Sequence, residues 1–220
     1  MPEIENVFEG VVRINRRLAT VNMVKGTKVY DEDLIEGGKV EYRTWNPYRS
    51  KLAAAIVKGM KQMQIKKGTT VLYLGAATGT TVSHVSDIVG AEGGIFAVEL
   101  SERNMRELLR VCDYRDNIMP ILGDAREIHK YRDDVGSVDV LYMDVSARDQ
   151  ADILLLNSQM LKKGGFAYVA IKSQSISSSR RPEEVFEEFL KKVSQKFDIL
   201  ERIDIDSFDK FHLFAVLRKK

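Results

Sequence analysis

From Ser50 onward, apolar residues gather in short blocks, and each block ends in a polar or charged residue. Val71-Leu72-Tyr73-Leu74 runs into Gly75-Ala76-Ala77-Thr78-Gly79-Thr80-Thr81, the pattern of a buried strand, a tight turn and a helix start. Ile95-Phe96-Ala97-Val98 ends in Glu99, Ile121-Leu122-Gly123 in Asp124, Val140-Leu141-Tyr142-Met143 in Asp144, and Phe166 to Ile171 in Lys172. Between these blocks the apolar spacing turns helical. Ser50 is placed to cap a helix through Met60 that buries Leu52, Ala55, Ile56 and Gly59. Val82, Val85, Ile88 and Val89 mark a second helix. Ser101 caps a third, with Met105, Leu108, Leu109 and Cys112 inward. Asp149 to Leu161 supplies Ile153, Leu154 and Met160, and Pro182 opens a last helix carrying Val185, Phe186, Phe189, Leu190 and Val193.

Strand–helix alternation predicts a parallel sheet with right-handed crossovers. The runs Ile199 to Ile205 and Phe211 to Leu217 are too close for a crossover helix, so they predict an antiparallel pair. Ser173 to Ser179 is serine-rich and reads as a mobile loop. The first part of the chain differs. Val7 to Ile14, Arg17 to Met23 and Val40 to Trp45 are rich in β-formers, and Gly37-Gly38 is a hairpin-type turn. The expected organisation is a small β domain over residues 1–47, too small to stand alone, packed on an α/β domain over residues 48–220, with Asn46-Pro47 at the boundary.

Ligands of open α/β sheets bind outside the carboxyl ends of the strands, so the polar block ends share the rim where chemistry is expected. A Walker loop needs a lysine after the last glycine, and none follows Gly79. A dinucleotide turn needs a middle glycine, where Ala77 stands. S-adenosylmethionine has no phosphate and needs only close backbone approach, with Glu99 accepting from the ribose hydroxyls. That reading is favoured over a nicotinamide enzyme, and a packing turn without ligand is the remaining alternative.

Composition adds little until charge is mapped. The 220 residues carry a net charge of +2. Yet the stretch between Tyr42 and Ser86 holds seven cations and no acid (Arg43, Arg49, Lys51, Lys58, Lys61, Lys66, Lys67). Between Ile153 and Pro182 stand five more, Lys162, Lys163, Lys172, Arg180 and Arg181, again without acid. A basic face on a near-neutral protein predicts a nucleic-acid partner. The single Cys112 excludes an internal disulfide and reads as a structural thiol. No metal site is expected. No apolar run reaches membrane-spanning length, and Met1-Pro2-Glu3-Ile4-Glu5 lacks a signal-peptide core, so a cytoplasmic setting without membrane contact is expected.

Four stretches carry a family resemblance: Trp45-Asn46-Pro47-Tyr48-Arg49-Ser50-Lys51-Leu52-Ala53-Ala54, Tyr73 to Asp87, Pro120-Ile121-Leu122-Gly123-Asp124-Ala125, and Ala170-Ile171-Lys172-Ser173. With these the chain resembles the fibrillarin family over nearly its whole length, in the archaeal form that lacks a Gly/Arg-rich N-terminal extension. The resemblance implies a Rossmann-like S-adenosylmethionine-dependent methyltransferase. Its fold would be a seven-stranded, mostly parallel sheet with a terminal antiparallel strand, plus the small β domain. It implies 2′-O-methylation of ribose in rRNA and tRNA, directed by box C/D guide RNA. The implied partners are a Nop-type scaffold protein and a kink-turn-binding, ribosomal-protein-like subunit. It implies a catalytic set of Lys51, Asp144, Lys172 and His212. Cofactor contacts are implied along the turn (Gly75, Ala77, Gly79, Thr80, Thr81) and at Glu99, Leu100, Asp124, Ala125, Asp144, Val145, Ser146 and Ala147. The chain departs from the family at Ala147, where glutamine is usual, and at Phe211, where aspartate usually precedes the histidine. Gln174, Ser177 and Ser178 also depart, where Arg, Asp and Val are common.

The sheet argument reaches the same catalytic set. Asp144 and Lys172 end consecutive strands, and paired strands lie about 4.8 Å apart. An antiparallel last strand starts at the same rim, near His212, and Lys51 leans over it from the preceding helix. Lys172 is the candidate base, its pKa lowered by Lys51 and desolvation and opposed by Asp144. His84 and His129 read as structural. The competing classes are a non-catalytic S-adenosylmethionine- or RNA-binding subunit, and a small-molecule or protein methyltransferase on the same fold.

Overall fold

The computed structural model describes residues 3–220, so Met1 and Pro2 of the expected β domain and leader reading lie outside the described residues. Five strands, β1 (Ile4–Phe8), β2 (Val11–Ile14), β3 (Arg17–Val21), β4 (Leu34–Gly37) and β5 (Val40–Thr44), form an antiparallel sheet in the order β1-β2-β3-β5-β4. The β-rich run from Val7 to Ile14 spans the end of β1 and all of β2. Gly10, at φ +77°, turns the chain between them. Strand β4 carries no alternation of its own, and only the Gly37-Gly38 hairpin betrays it.

The remainder alternates helix and strand as the pattern predicts: α1 (Lys51–Val57), β6 (Thr70–Leu74), α2 (Thr80–Val89), β7 (Gly94–Glu99), α3 (Glu102–Cys112) and β8 (Ile118–Leu122). Then come α4 (Arg132–Val135), β9 (Val138–Met143), α5 (Gln150–Asn157), β10 (Leu161–Lys172), α6 (Ser173–Ile176), α7 (Pro182–Val193), β11 (Phe197–Asp204) and β12 (His212–Lys219). The seven strands order as β11-β12-β10-β9-β6-β7-β8. All neighbours are parallel except those of β12, which runs antiparallel to both β10 and β11. Ser50 and Ser101 cap α1 and α3, accepting from Ala53 N–H and Asn104 N–H.

Four expectations shift. Helix α1 stops at Val57 rather than Met60, because the chain turns through Gly59 at φ +95°. The Asp149–Leu161 helix ends at Asn157, and Leu161 already belongs to a long β10 whose register shifts before Phe166. Ser173–Ile176 is a short helix, not a loop. Leu109 faces outward and Cys112 is half-buried, with burial pushing its thiol up to about 11.

Both faces of the larger sheet are covered, as a parallel sheet requires. Val71 and Tyr73 point into one apolar cluster with Trp45, Leu52 and Val85; Leu72 and Leu74 point into the other with Val98, Leu141 and Phe189. The small sheet docks through a buried polar network. Arg43 Nε bonds Glu32 at 3.0 Å and its Nη1 lies 3.3 Å from Asp87, which also pairs with Arg115 at 2.7 Å. Thr20 and Tyr30 hydroxyls hold the two ring nitrogens of His84 at 2.8 and 2.6 Å, and Trp45 stacks on the ring. Burial, then Arg43 and Arg115, hold His84 well below the ordinary histidine pKa, so it is neutral and structural.

Candidate active site

The glycine turn leaves β6 at the carboxyl rim of the sheet. Gly75 has φ +82°, and a Cβ there would lie 2.7 Å from the Asp144 carbonyl oxygen, so only glycine lets β6 and β9 end side by side. Ala77 also takes a positive φ, +50°, which aims its N–H at Glu99 Oε2, 2.7 Å away. Glu99 Oε1 accepts from Ser101 N–H at 2.8 Å and from Asn104 Nδ2 at 3.3 Å. The carboxylate is buried and fixed, with acceptor capacity left on Oε2.

Around it opens a cavity of about 360 Å³, the size of a small-molecule site. Its walls include Gly75, Ala77, Glu99, Leu100, Asp124, Ala125, Asp144, Val145, Ser146 and Ala147, and Lys172 joins them. Gly79, Thr80 and Thr81 are not in the wall. Gly79 packs toward Leu108 and Val111, Thr81 donates to Ser50 Oγ at 3.0 Å, and Thr80 lines a neighbouring cleft with Tyr30 and Arg49. They shape the turn from behind.

Arg126 lines the cavity without having been singled out in the sequence. Its guanidinium bridges Asp124 at 3.1 Å and Asp149 at 2.6 Å, and the hydrogen bond from Arg126 lowers the Asp149 pKa. No sequence signal marks it, because Asp149 lies 23 positions away. Asn104 was legible only as a position in a capped helix.

At one edge of the cavity four candidate side chains converge. Lys51, the first residue of α1, places Nζ 3.2 Å from Asp144 Oδ2. Lys172, the last of β10, places Nζ 2.8 Å from Asp144 Oδ1, 3.1 Å from the Asp144 carbonyl and 3.0 Å from Ser146 Oγ. The Oδ1 contact is an ion pair without hydrogen-bond alignment, so this buried oxygen has no directed donor. His212 is the register partner of Lys172 across β10 and β12. Its Nδ1 donates to the Lys210 carbonyl at 2.7 Å, which leaves Nε2 to accept when the ring is neutral. Asp209 ties the set together, lying 3.3 Å from Lys51 Nζ and 3.3 Å from His212 Nδ1. It sits in a short turn that the sequence marks only as a connector. Burial pulls the Lys51 ammonium pKa down, but Asp144 and Asp209 together outweigh it and hold it above the ordinary value.

The twelve cations of the two acid-free stretches do not form one face. Arg43 is fully buried, Lys51 and Lys172 enter the rim, and Lys66, Lys67, Lys162 and Lys163 line a cleft at the opposite end of the sheet. Among the described residues, no group of His, Cys, Asp and Glu is arranged to hold a metal ion, and no helix is long and apolar enough to cross a membrane.

A seven-stranded sheet whose one antiparallel strand lies inside β11, together with a glycine-turn cavity at the carboxyl rim, defines the Rossmann-like S-adenosylmethionine-dependent methyltransferases. The chain matches the family described as Fibrillarin over residues 1–220. It is 50% identical over 218 residues to the fibrillarin-like rRNA/tRNA 2′-O-methyltransferase of Thermococcus sibiricus, covering 96% of each chain. Its structure superposes with a TM-score of 0.89 on Aeropyrum pernix fibrillarin, crystallised with natively bound S-adenosylmethionine, at 42% identity, covering 99% of this chain and 100% of that one. It superposes at 0.88 on the fibrillarin chain of a fibrillarin/Nop5p complex, at 37% identity, covering 96% and 98%. The chain belongs to the fibrillarin family.

Proposed function

We propose that this protein transfers a methyl group from S-adenosylmethionine to ribose 2′-hydroxyls of rRNA and tRNA. We infer further that it works in a ribonucleoprotein with a Nop-type scaffold protein, a box C/D guide RNA and a kink-turn-binding subunit. In this reading residues 48–220 carry the cofactor and the chemistry, and residues 1–47 brace them. The observation that carries the reading is the convergence of Lys51 and Lys172 on Asp144 beside the cavity. The T. sibiricus relative bears the activity in its name, and the fibrillarin/Nop5p complex supplies the scaffold by kinship.

The cavity fits the cofactor in size and in its acceptor groups. Glu99 Oε2 offers an acceptor to a ribose hydroxyl, and a Cβ at Gly123 would meet no protein atom within 4 Å, so that wall is open. Asp124 and Ala125 line the wall as a carboxylate and a backbone segment, suited to a base edge. The bound cofactor supplies a methyl group already activated on a sulfonium. Asp144 carries the negative charge that suits the cationic end.

What the protein must then do is place the ribose oxygen and take its proton. The 2′-oxygen forms the new C–O bond as the S–C bond breaks, and that electron pair stays with sulfur. We assign the proton to Lys172. At rest its ammonium is surrounded by Asp144 Oδ1, the Asp144 carbonyl and Ser146 Oγ. To act as base it first releases one proton to solvent as the entering ribose displaces one of these partners, and the neutral amine then takes the 2′-hydroxyl proton. Lys51, held charged by Asp144 and Asp209, draws negative charge from Asp144 and steadies it. His212 orients the ribose through Nε2. The test is methyl transfer from labelled S-adenosylmethionine in the complex reconstituted with guide and target RNA. Methylation at the guided ribose is expected, and a complex that binds RNA and cofactor without transfer would leave only a structural subunit.

A further inference from the structure

Strand β10 outruns its parallel neighbour. The register of β9 with β10 ends where Met143 pairs with Val169, and β10 continues to Lys172. On its other edge Lys172 is still held, because it pairs with His212 of β12. On the β9 edge the side chain of Gln150 takes over. Its Oε1 accepts from Lys172 N–H at 3.3 Å, and its Nε2 donates to the Val145 carbonyl at 2.8 Å. A glutamine amide offers the donor and acceptor of a peptide group, so it adds one rung beyond the end of β9. The partners fix its orientation. A flipped amide would set its oxygen against the Val145 carbonyl and its NH2 against Lys172 N–H.

Gln150 opens α5 and has no exposed surface. A buried amide is stable only when both of its ends are bonded. The two groups it joins belong to different halves of the chemistry. Val145 lines the cofactor cavity together with Asp144 and Ser146. Lys172 carries the amine assigned to the ribose proton, and its Nζ meets Asp144 Oδ1 at 2.8 Å and Ser146 Oγ at 3.0 Å. Gln150 itself is not in the cavity wall. Its amide reaches both halves through their backbones.

We propose that Gln150 is a positioning residue for methyl transfer. Its amide holds the cofactor wall at Val145 against the end of β10, and so fixes where the Lys172 amine stands. The proposal rests on the reading of Lys172 as the base of an RNA 2′-O-methyltransferase. Gln150 touches no reacting atom in this scheme.

The test is a double-mutant cycle in the reconstituted complex, read as single-turnover transfer at saturating RNA and cofactor. Gln150→Met keeps the shape of the side chain and removes the amide. It is expected to slow transfer roughly 10- to 100-fold, the scale of a misplaced reacting group. In a Lys172→Ala background the same substitution should change the residual rate by less than about threefold, because no amine is left to misplace. S-adenosylmethionine affinity, read by calorimetry, should fall less than the rate does. If Gln150→Met unfolds at the assay temperature, Gln150→Asn carries the same cycle, since its amide stops one methylene short of both partners. Equal fold-losses in the two backgrounds would make Gln150 a structural amide and overturn the proposal. An unchanged rate in the Gln150 variants, with transfer intact in wild type and lost in Lys172→Ala, would overturn it alone. Absence of transfer by wild type, or full transfer by Lys172→Ala, would remove the underlying reading and the proposal together.

Discussion

Lys172 shows how much one side chain's role depends on its partners. Its Nζ lies within reach of the Asp144 carboxylate, the Asp144 carbonyl and Ser146. If it takes the ribose proton, Lys172→Ala should slow single-turnover transfer by roughly 10²–10⁴-fold while leaving cofactor affinity nearly unchanged. Lys172→Arg should not rescue, because a guanidinium stays protonated. An active Arg variant would recast Lys172 as a cation that attracts phosphate. Glu99 makes a second case. It organises Ala77, Ser101 and Asn104 through three hydrogen bonds and keeps an acceptor for the cofactor ribose. Glu99→Ala should weaken S-adenosylmethionine binding by about 1–3 kcal/mol, read by calorimetry without RNA. An unchanged affinity would remove Glu99 from the site. The identities of Glu99, Asp144 and Lys172 were legible because each closes an apolar block. Arg126 and Asp209 were not, since a bridging ion pair has no spacing of its own.

Among elements, the strand order decides the site. Because β9 lies between β6 and β10, the chain ends after Leu74, Met143 and Ile171 meet at one rim. Because β12 is antiparallel, its first residue rather than its last reaches that rim, and His212 pairs with Lys172. The turn after β6 carries the tightest constraint. Gly75→Ala places a Cβ in a left-handed conformation that costs about 1–2 kcal/mol, and 2.7 Å from the Asp144 carbonyl. The expected result is a folded protein with weakened S-adenosylmethionine binding and slowed transfer, because the Asp144 backbone must move. Circular dichroism and calorimetry on the same sample check both halves. Wild-type cofactor affinity in this variant would show that the rim tolerates the shift. The apolar blocks predicted β6 to β10 and the last two strands. They missed β4 and the α6 turn, which are short segments held by their neighbours.

At the scale of the molecule, the two sheets are joined by buried charge. Arg43, Glu32, Asp87 and Arg115 are linked at the interface, and Arg43 has no exposed surface. Removing one partner of such a set leaves the others buried and uncompensated. Arg43→Ala should therefore cost about 3–5 kcal/mol of stability, measured as a fall in the denaturant midpoint. A loss below about 1 kcal/mol would mean that water or rearrangement satisfies Glu32 and Asp87. In the sequence Arg43 counted as one more cation of an acid-free stretch. Its burial with carboxylates from Glu32 and Asp87, 44 positions beyond it, was invisible there.

What the sequence by itself determined was local and periodic: the strand and helix blocks, their caps at Ser50 and Ser101, the forced turn through Gly75, and the chemistry at each block's end. These follow from spacing, from positive-φ requirements and from which side chains can be buried. What only the tertiary structure decided was which distant charges meet. Lys51 and Lys172 share Asp144, Asp209 joins Lys51 to His212, and Arg43 leaves the surface altogether. Pairing across the fold is set by strand order and by the need to neutralise buried charge, and neither has a periodic signature along the chain.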